Sequence, residues 1–367
     1  MSRALRSIAG AAVVVIVMTL STGLVFTQTQ VVDPASKALP NPNPTVVKNW
    51  GTLPDNRVWG NTAGVDIALD GNIWAYDRCG ANSCAESKLD PIFKFDRASG
   101  KMLTSFGGGL IVFPHGIHVD RQGNVWITDG NDNAPAAQRG AAGARGTPGP
   151  NPQATKGHQI LKFSPEGKVL MTIGKPGGAA GDECCYQPND VITNQKGEIF
   201  VSEGHTSGGR IRKFSSDGKL IKTWGAPGNG PGQFNVPHAL AFDSKGRLFV
   251  ADRQNHRIQI FDQEGQFLEE WKQFSRISGL FIDRNDNLYA IDSESSAARH
   301  QDWKTGIRIG KTTEDKVLSF IPPHQTETPY GAAGEGIAVD PDGNVYGAEG
   351  PLSRQAAGGG ITKYLKR

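Results

Sequence analysis

Net charge is what this sequence has least of. Its 367 residues carry 39 Lys and Arg against 36 Asp and Glu, a formal charge of +3, and the cationic residues are scattered. A balance that small and that dispersed gives nothing to imply a nucleic-acid partner, and charge is otherwise uninformative about partners. Cysteine is scarce as well, with four residues and no C-x-x-C pair to suggest a metal knuckle. Cys79 and Cys84 lie close enough to staple one loop, as suits an oxidising compartment. For the adjacent Cys184 and Cys185 the sequence supports no assignment. Glycine and proline are plentiful instead, at 47 and 22 residues, which fits a turn-dense β fold rather than a helical one.

The only long uncharged run is N-terminal. Arg3 and Arg6 precede the stretch from Ser7 to Val32, whose apolar heart is Ala11 to Met18. Basic then apolar is the order of a secretory signal, yet the run is also long enough to span a bilayer as a helix. It is followed by no clean small-x-small cleavage site and no lipobox cysteine, so a cleaved signal and a retained anchor both stay open. Either places the remaining chain outside the cytoplasm, periplasmic or secreted, with membrane contact only through residues 7–32. Residues 33–45, with four prolines, read as an extended tether, and residues 46–367 as the folded domain.

Within 46–367 one grammar recurs six times. The segments are GVDIALDGNIWAYD from Gly64, GIHVDRQGNVWITD from Gly116, DVITNQKGEIFVSE from Asp190, ALAFDSKGRLFVAD from Ala239, GLFIDRNDNLYAID from Gly279 and GIAVDPDGNVYGAE from Gly336. Each reads as two period-2 strands joined by a tight D-x-x-G-type turn, and most are followed by a second hairpin. Four strands in each of six repeats is the pattern of an all-β, six-bladed propeller. The last repeat ends after a third strand, ITKYLKR, while VVKNWG from Val46 looks like an orphan fourth. Pairing them would close the final blade with both chain ends. The Ala-, Gly- and Pro-rich insertion from Asn131 to Gly157 is expected between the second and third strands of blade 2.

Strands alternate in direction, so residues just before each first strand should ring one mouth of the central channel. The six repeats put Ala63, His115, Asn189, His238, Ser278 and Glu335 there. His115, His238 and Glu335 come from alternate blades and form a triangle, a three-ligand set with an open position such as catalytic zinc uses. The competing reading is a wet channel lined with polar groups. The carboxylates that end the second strands, Asp77, Asp129, Glu203, Asp252, Asp292 and Glu349, occur in every repeat and are expected to accept hydrogen bonds from turn amides. One residue further on, Arg78 and Arg253 stand on opposite blades at the same mouth. They suit a carboxylate-bearing substrate, or else pair with neighbouring Asp77 and Asp252.

FPHGIHVDRQGNVWITD around His115, CYQPNDVITNQKGEIFVSEG, GRIRKFSSDGKLIKTWG and GQFNVPHALAFDSKGRLFVADRQNHRIQIF around His238 resemble NHL-repeat propellers, and specifically the peptidyl-α-hydroxyglycine α-amidating lyases. The resemblance implies a zinc-dependent enzyme that splits a C-terminal α-hydroxyglycine into an amide and glyoxylate. It implies His115 and His238 as zinc ligands, Arg253 and Arg78 as active-site arginines, and Glu335 in place of a third histidine. His205, in SEGHTSGGRI, stands where the family has its catalytic Tyr and would serve as base. Tyr186 and Tyr330 are other candidates to bring a phenol to the mouth. The family's calcium-binding Asp is Gly336 here, so calcium has no support from the sequence. The expected partner is a small molecule or peptide bearing a carboxylate, and the expected state a monomer. Two other classes remain: a non-catalytic NHL propeller presenting one face to a protein or glycan, and a calcium-dependent lactonase propeller.

Overall fold

The computed structural model describes residues 31–134, 150–179, 181, 183–205, 209–324, 334–350 and 359–367. The apolar segment up to residue 30 and Tyr330 lie outside the described residues. Val32–Arg367 forms one compact unit.

Six four-stranded antiparallel sheets make up that unit. Blade 1 consists of Thr62–Ile67, Ile73–Asp77, Ile92–Phe95 and Met102–Phe106. The following sheets repeat this up-and-down order, so the fold is a six-bladed β-propeller. Blade 6 is Gly336–Val339, Val345–Glu349 and Gly360–Leu365, completed by Thr45–Trp50 from the other end of the chain. Its register pairs Val46 with Tyr364 and Trp50 with Ile361, closing the ring as the orphan strand suggested.

Five of the six second strands are buried along their whole length, and Asn287–Asp292 of blade 5 at all but its first residue, because each sheet is covered by a neighbour on both faces. The apolar clusters accordingly lie between blades rather than within them. Phe249, Ile258 and Trp271 of blade 4 pack with Leu280, Leu288 and Ala290 of blade 5 in one such cluster. Burial of this kind contributes about 25 cal/mol per Å² of apolar surface removed from water.

Near the axis the first strands converge, which explains the small residue that opens most repeats. A methyl group added at Gly336 would lie 2.9 Å from the Cα of Gly64, and one at Gly279 would lie 2.8 Å from the carbonyl oxygen of Glu335. Blade 3 is the exception: Asp190 fills this position, and its carboxylate accepts from Val191 N–H and Leu240 N–H, bridging to blade 4.

The strand-end carboxylates do what their recurrence implied. Asp129 accepts from the amides of Val112 and Phe113, Asp252 from that of Asn235, and Asp292 from those of Glu294 and Ser295. Cys79 and Cys84 are joined in the loop that follows blade 1's second strand.

The tether is where the structure departs from the sequence reading. Asp33 is 2% exposed and pairs with the fully buried Arg308 at 2.8 Å. Pro34–Ser36 forms a 3₁₀ turn, Pro40 accepts from Phe320 N–H, and Asn43 donates to Gly343 and Tyr364 carbonyls. Prolines made the stretch extended, but its hydrogen bonds dock it against blades 5 and 6. It is a strap, and the compact unit starts near Val32 rather than Val46.

Candidate active site

The channel holds a cavity of about 260 Å³ whose lining includes all six predicted ring positions: Ala63, His115, Asn189, His238, Ser278 and Glu335. Ala63, His115, Asn189 and His238 sit in β-bulges where their first strands open, and Ser278 and Glu335 just precede theirs, held by backbone hydrogen bonds to the Ile291 and Ala348 carbonyls. Beyond this mouth the wall mixes Ile117, Leu240, Leu280 and Ile337 with the polar Asp66, His118, Asp190 and Thr193.

Two imidazoles are locked in the same way. Nδ1 of His115 lies 2.7 Å from the carbonyl oxygen of Asn189, and Nδ1 of His238 lies 2.6 Å from that of Ser278. In each case the acceptor belongs to the next blade. The ring proton is therefore assigned to Nδ1, and Nε2 is left as the lone-pair nitrogen. Burial, followed by the charge of Arg253, holds His238 well below its usual pKa and keeps it neutral.

His205 joins these two. The ring centroids of His115 and His238 are 4.7 Å apart, those of His115 and His205 5.0 Å, and those of His205 and His238 5.6 Å. One nitrogen from each of the three rings lies within 4.8 Å of the others, so the group can hold a metal ion. Glu335 is at the edge of this cluster, with Oε2 3.9 Å from Nε2 of His238. The triangle of His115, His238 and Glu335 thus gains a fourth member, one to which the family resemblance gave the role of base. Three imidazole nitrogens, two of them on rings with tautomers set by the next blade, and a nearby carboxylate fit a zinc-class ion.

The two arginines part company. Arg253 donates from Nη1 to Nε2 of His238 at 2.7 Å, and its other terminal nitrogen pairs with Glu294. Asp252, its sequence neighbour, instead takes Arg257 at 2.8 Å, so the Asp–Arg pairing expected within one loop does not form. Arg78 donates from Nε to the carbonyl of Pro114 and from Nη1 to Asn82, and its guanidinium lies 3.8 Å from the centre of the Phe113 ring. It braces the segment that carries His115. Tyr186 lies against His158, with centroids 4.8 Å apart.

Glu294 also receives Arg276 at 2.8 Å and Arg299 at 2.6 Å. The sequence reading missed these three residues. They lie in loops of blade 5 outside the repeating positions, and the one available signal was their closeness in sequence to the ring position Ser278 and the strand end Asp292.

Comparison with known proteins adds a family-level match: residues 234–261 fit the NHL repeat. Peptidyl-glycine alpha-amidating monooxygenase B of Xenopus laevis is 30% identical over 288 residues, 74% of this chain and 29% of that protein. Peptidyl-alpha-hydroxyglycine alpha-amidating lyase 2 of Drosophila melanogaster is 27% identical over 237 residues, 59% of this chain and 51% of that one. The chain therefore spans about half of the fly protein and less than a third of the frog one. Among solved structures, a gluconolactonase of Xanthomonas campestris superposes with a TM-score of 0.55 at 14% identity, covering 90% of this chain and 96% of that one. A streptogramin B lyase gives 0.52 at 16%, covering 89% and 98%. At those identities the structural likeness concerns the fold alone.

Proposed function

Taking the chain as an NHL-repeat six-bladed propeller similar to the peptidyl-α-hydroxyglycine α-amidating lyases, we propose that it is a metal-dependent lyase acting on an N-acylated α-hydroxyglycine or a related small α-hydroxy acid derivative. The observation that carries this reading is the convergence of His115, His205 and His238 at one channel mouth, two of them with their tautomers set by a neighbouring blade. His115 and His238 would hold zinc. The short ring separations favour His205 as third ligand and leave Glu335 to act as base, the reverse of the roles that the sequence suggested. Bound zinc would supply Lewis acidity at the α-hydroxyl oxygen.

The chain's own groups account for the rest. Arg253 would turn from His238 to hold the substrate carboxylate, since a guanidinium matches that group in two parallel hydrogen bonds. Glu335 would accept the hydroxyl proton. The O–H electrons become the second bond of the aldehyde, the C–N pair leaves on nitrogen, and the proton follows to complete the amide. Glyoxylate and an amide are the products, and atoms balance without an oxidant. The Cys79–Cys84 bond favours action outside the cytoplasm, as the N-terminal sequence suggests.

The test is metal analysis of the purified protein by plasma mass spectrometry, followed by glyoxylate release from a hydroxyglycine-extended peptide. About one zinc per chain with glyoxylate release is expected. A protein free of metal and unable to bind added zinc would overturn the reading in favour of a binding propeller.

A further inference from the structure

Beside the histidine cluster, blade 5 brings an unusual set of charges to the wall between blades 4 and 5. Arg253, Arg276 and Arg299 all point at one oxygen, Oε2 of Glu294. Next to them Arg308 is held by Asp33 at 2.8 Å and by Asp292 at 3.7 Å. Among the described residues four guanidiniums thus face three carboxylates, leaving one positive charge unmatched. Arg299 is half exposed and can be screened by water, whereas Arg253 and Arg276 are each 4% exposed and cannot.

Their hydrogen-bonding capacity is unmatched too. Nε of Arg253 and both Nε and Nη1 of Arg276 are buried and find no partner among the described residues. Burial, then repulsion from Arg253, brings Arg276 down to about 10, the mark of a guanidinium short of counter-charge. Glu294 shows the complementary effect: burial opposes its charge, but Arg253, Arg276 and Arg299 overcome that and hold it near 2. A buried donor left unpaired is costly, and a buried unpaired charge more so, so such a pair of guanidiniums is built to receive an anion.

We propose that Arg253 and Arg276 form a carboxylate-binding fork beside His238, in which Glu294 is the resident counter-ion that a ligand carboxylate displaces towards the more exposed Arg299. The ligand class is a small monocarboxylate. An α-hydroxy acid seated in this fork would have its hydroxyl within reach of the histidines, because Arg253 already touches Nε2 of His238. Ser278, whose hydroxyl lies 2.7 Å from that of Ser293, lines the channel cavity next to His238 and offers a further polar contact. The fork deepens the lyase reading by naming Arg276 as the second carboxylate-binding residue in place of Arg78. It needs no metal, and so stands or falls separately.

The experiment is calorimetric titration with glycolate, an α-hydroxy acid with no amide to lose, using the purified chain both zinc-loaded and chelator-treated. Wild type should bind in both states. Arg276→Gln should weaken binding about 10- to 100-fold, the loss of a charge-assisted pair, while Arg276→Lys should keep part of it and guards against a folding defect. Glu294→Gln should tighten binding, since the internal competitor loses its charge. No glycolate binding by wild type, or equal binding by a folded Arg276→Gln protein, would overturn the fork. Glycolate binding without glyoxylate release from any hydroxyglycine peptide would leave the fork standing and remove only the lyase reading.

Discussion

Nη1 of Arg253 lies 2.7 Å from Nε2 of His238, so the guanidinium holds the lone pair that a metal would use. A neutral imidazole cannot give that pair to both. The contact therefore couples the carboxylate site to the metal site: drawing Arg253 towards an anion frees His238.

Removing the guanidinium should separate the two functions. Arg253→Met is expected to bind zinc as tightly as wild type or more tightly, while turnover falls by at least about 10-fold through the lost charged hydrogen bond. Zinc affinity by chelator competition and glyoxylate release on the same preparations read both. Weaker zinc binding in the variant would show that Arg253 supports the metal instead of competing with it.

Ligand and base can be told apart by paired substitutions. His205→Ala should lower zinc affinity strongly, whereas Glu335→Gln should retain zinc and lose turnover. The opposite outcome would restore Glu335 as ligand, as the blade alignment suggested, and His205 as base, as the family resemblance implied. His115→Ala and His238→Ala should each abolish bound zinc and leave the circular dichroism of the propeller unchanged.

The strap carries a stability prediction. Asp33→Ala would leave Arg308 buried with only Asp292, 3.7 Å away, as counter-charge; removing one partner of a buried pair costs up to about 3–5 kcal/mol. Denaturant melts at constant slope would register it. A shift below about 1 kcal/mol would mean that the strap adds little to the propeller.

Asp190 should give stability a distinctive pH dependence. Burial is the largest influence on its carboxyl, outweighing hydrogen bonds from Leu240 and Val191, and raises it from 3.8 to about 7. Between about pH 4 and pH 7 the folded state then holds a proton that the unfolded state has lost. Its contribution is present below the unfolded value and is lost as pH rises through the folded one. His238 acts in the opposite sense, being depressed when folded, so its contribution is lost as pH falls below about 6.5. Asp190→Asn removes the first effect alone. The stability of wild type relative to this variant should fall with rising pH across that window, by at most about 1.4 kcal/mol per pH unit, and level off above it. A pH-independent difference in urea melts would count against the shift.

The repeat made most of this fold legible. Period-2 alternation and the recurring turns fix six hairpins, and alignment of the hairpins carries His115, His238, Ser278 and Glu335 to one mouth because position within a blade sets position in the ring. The missing strand at one end and the spare strand at the other likewise foretold the closure through Thr45–Trp50 and Gly360–Leu365. His205 was visible as a candidate, but its loop lies outside the repeat, and no periodicity says which way such a side chain points.

What the sequence determined, then, was everything that depends on local pattern: strand, turn, blade and the order of ring residues. Tertiary structure alone decided the contacts between segments that share no period. It buried Asp33 against Arg308, 275 residues away, and so converted a proline-rich tether into a strap. It also gathered Arg253 and Arg276 on Glu294 from three separate loops. Electrostatic pairing between loops depends on distances in space, and those exist only once the inter-blade cores have set where each loop begins and ends.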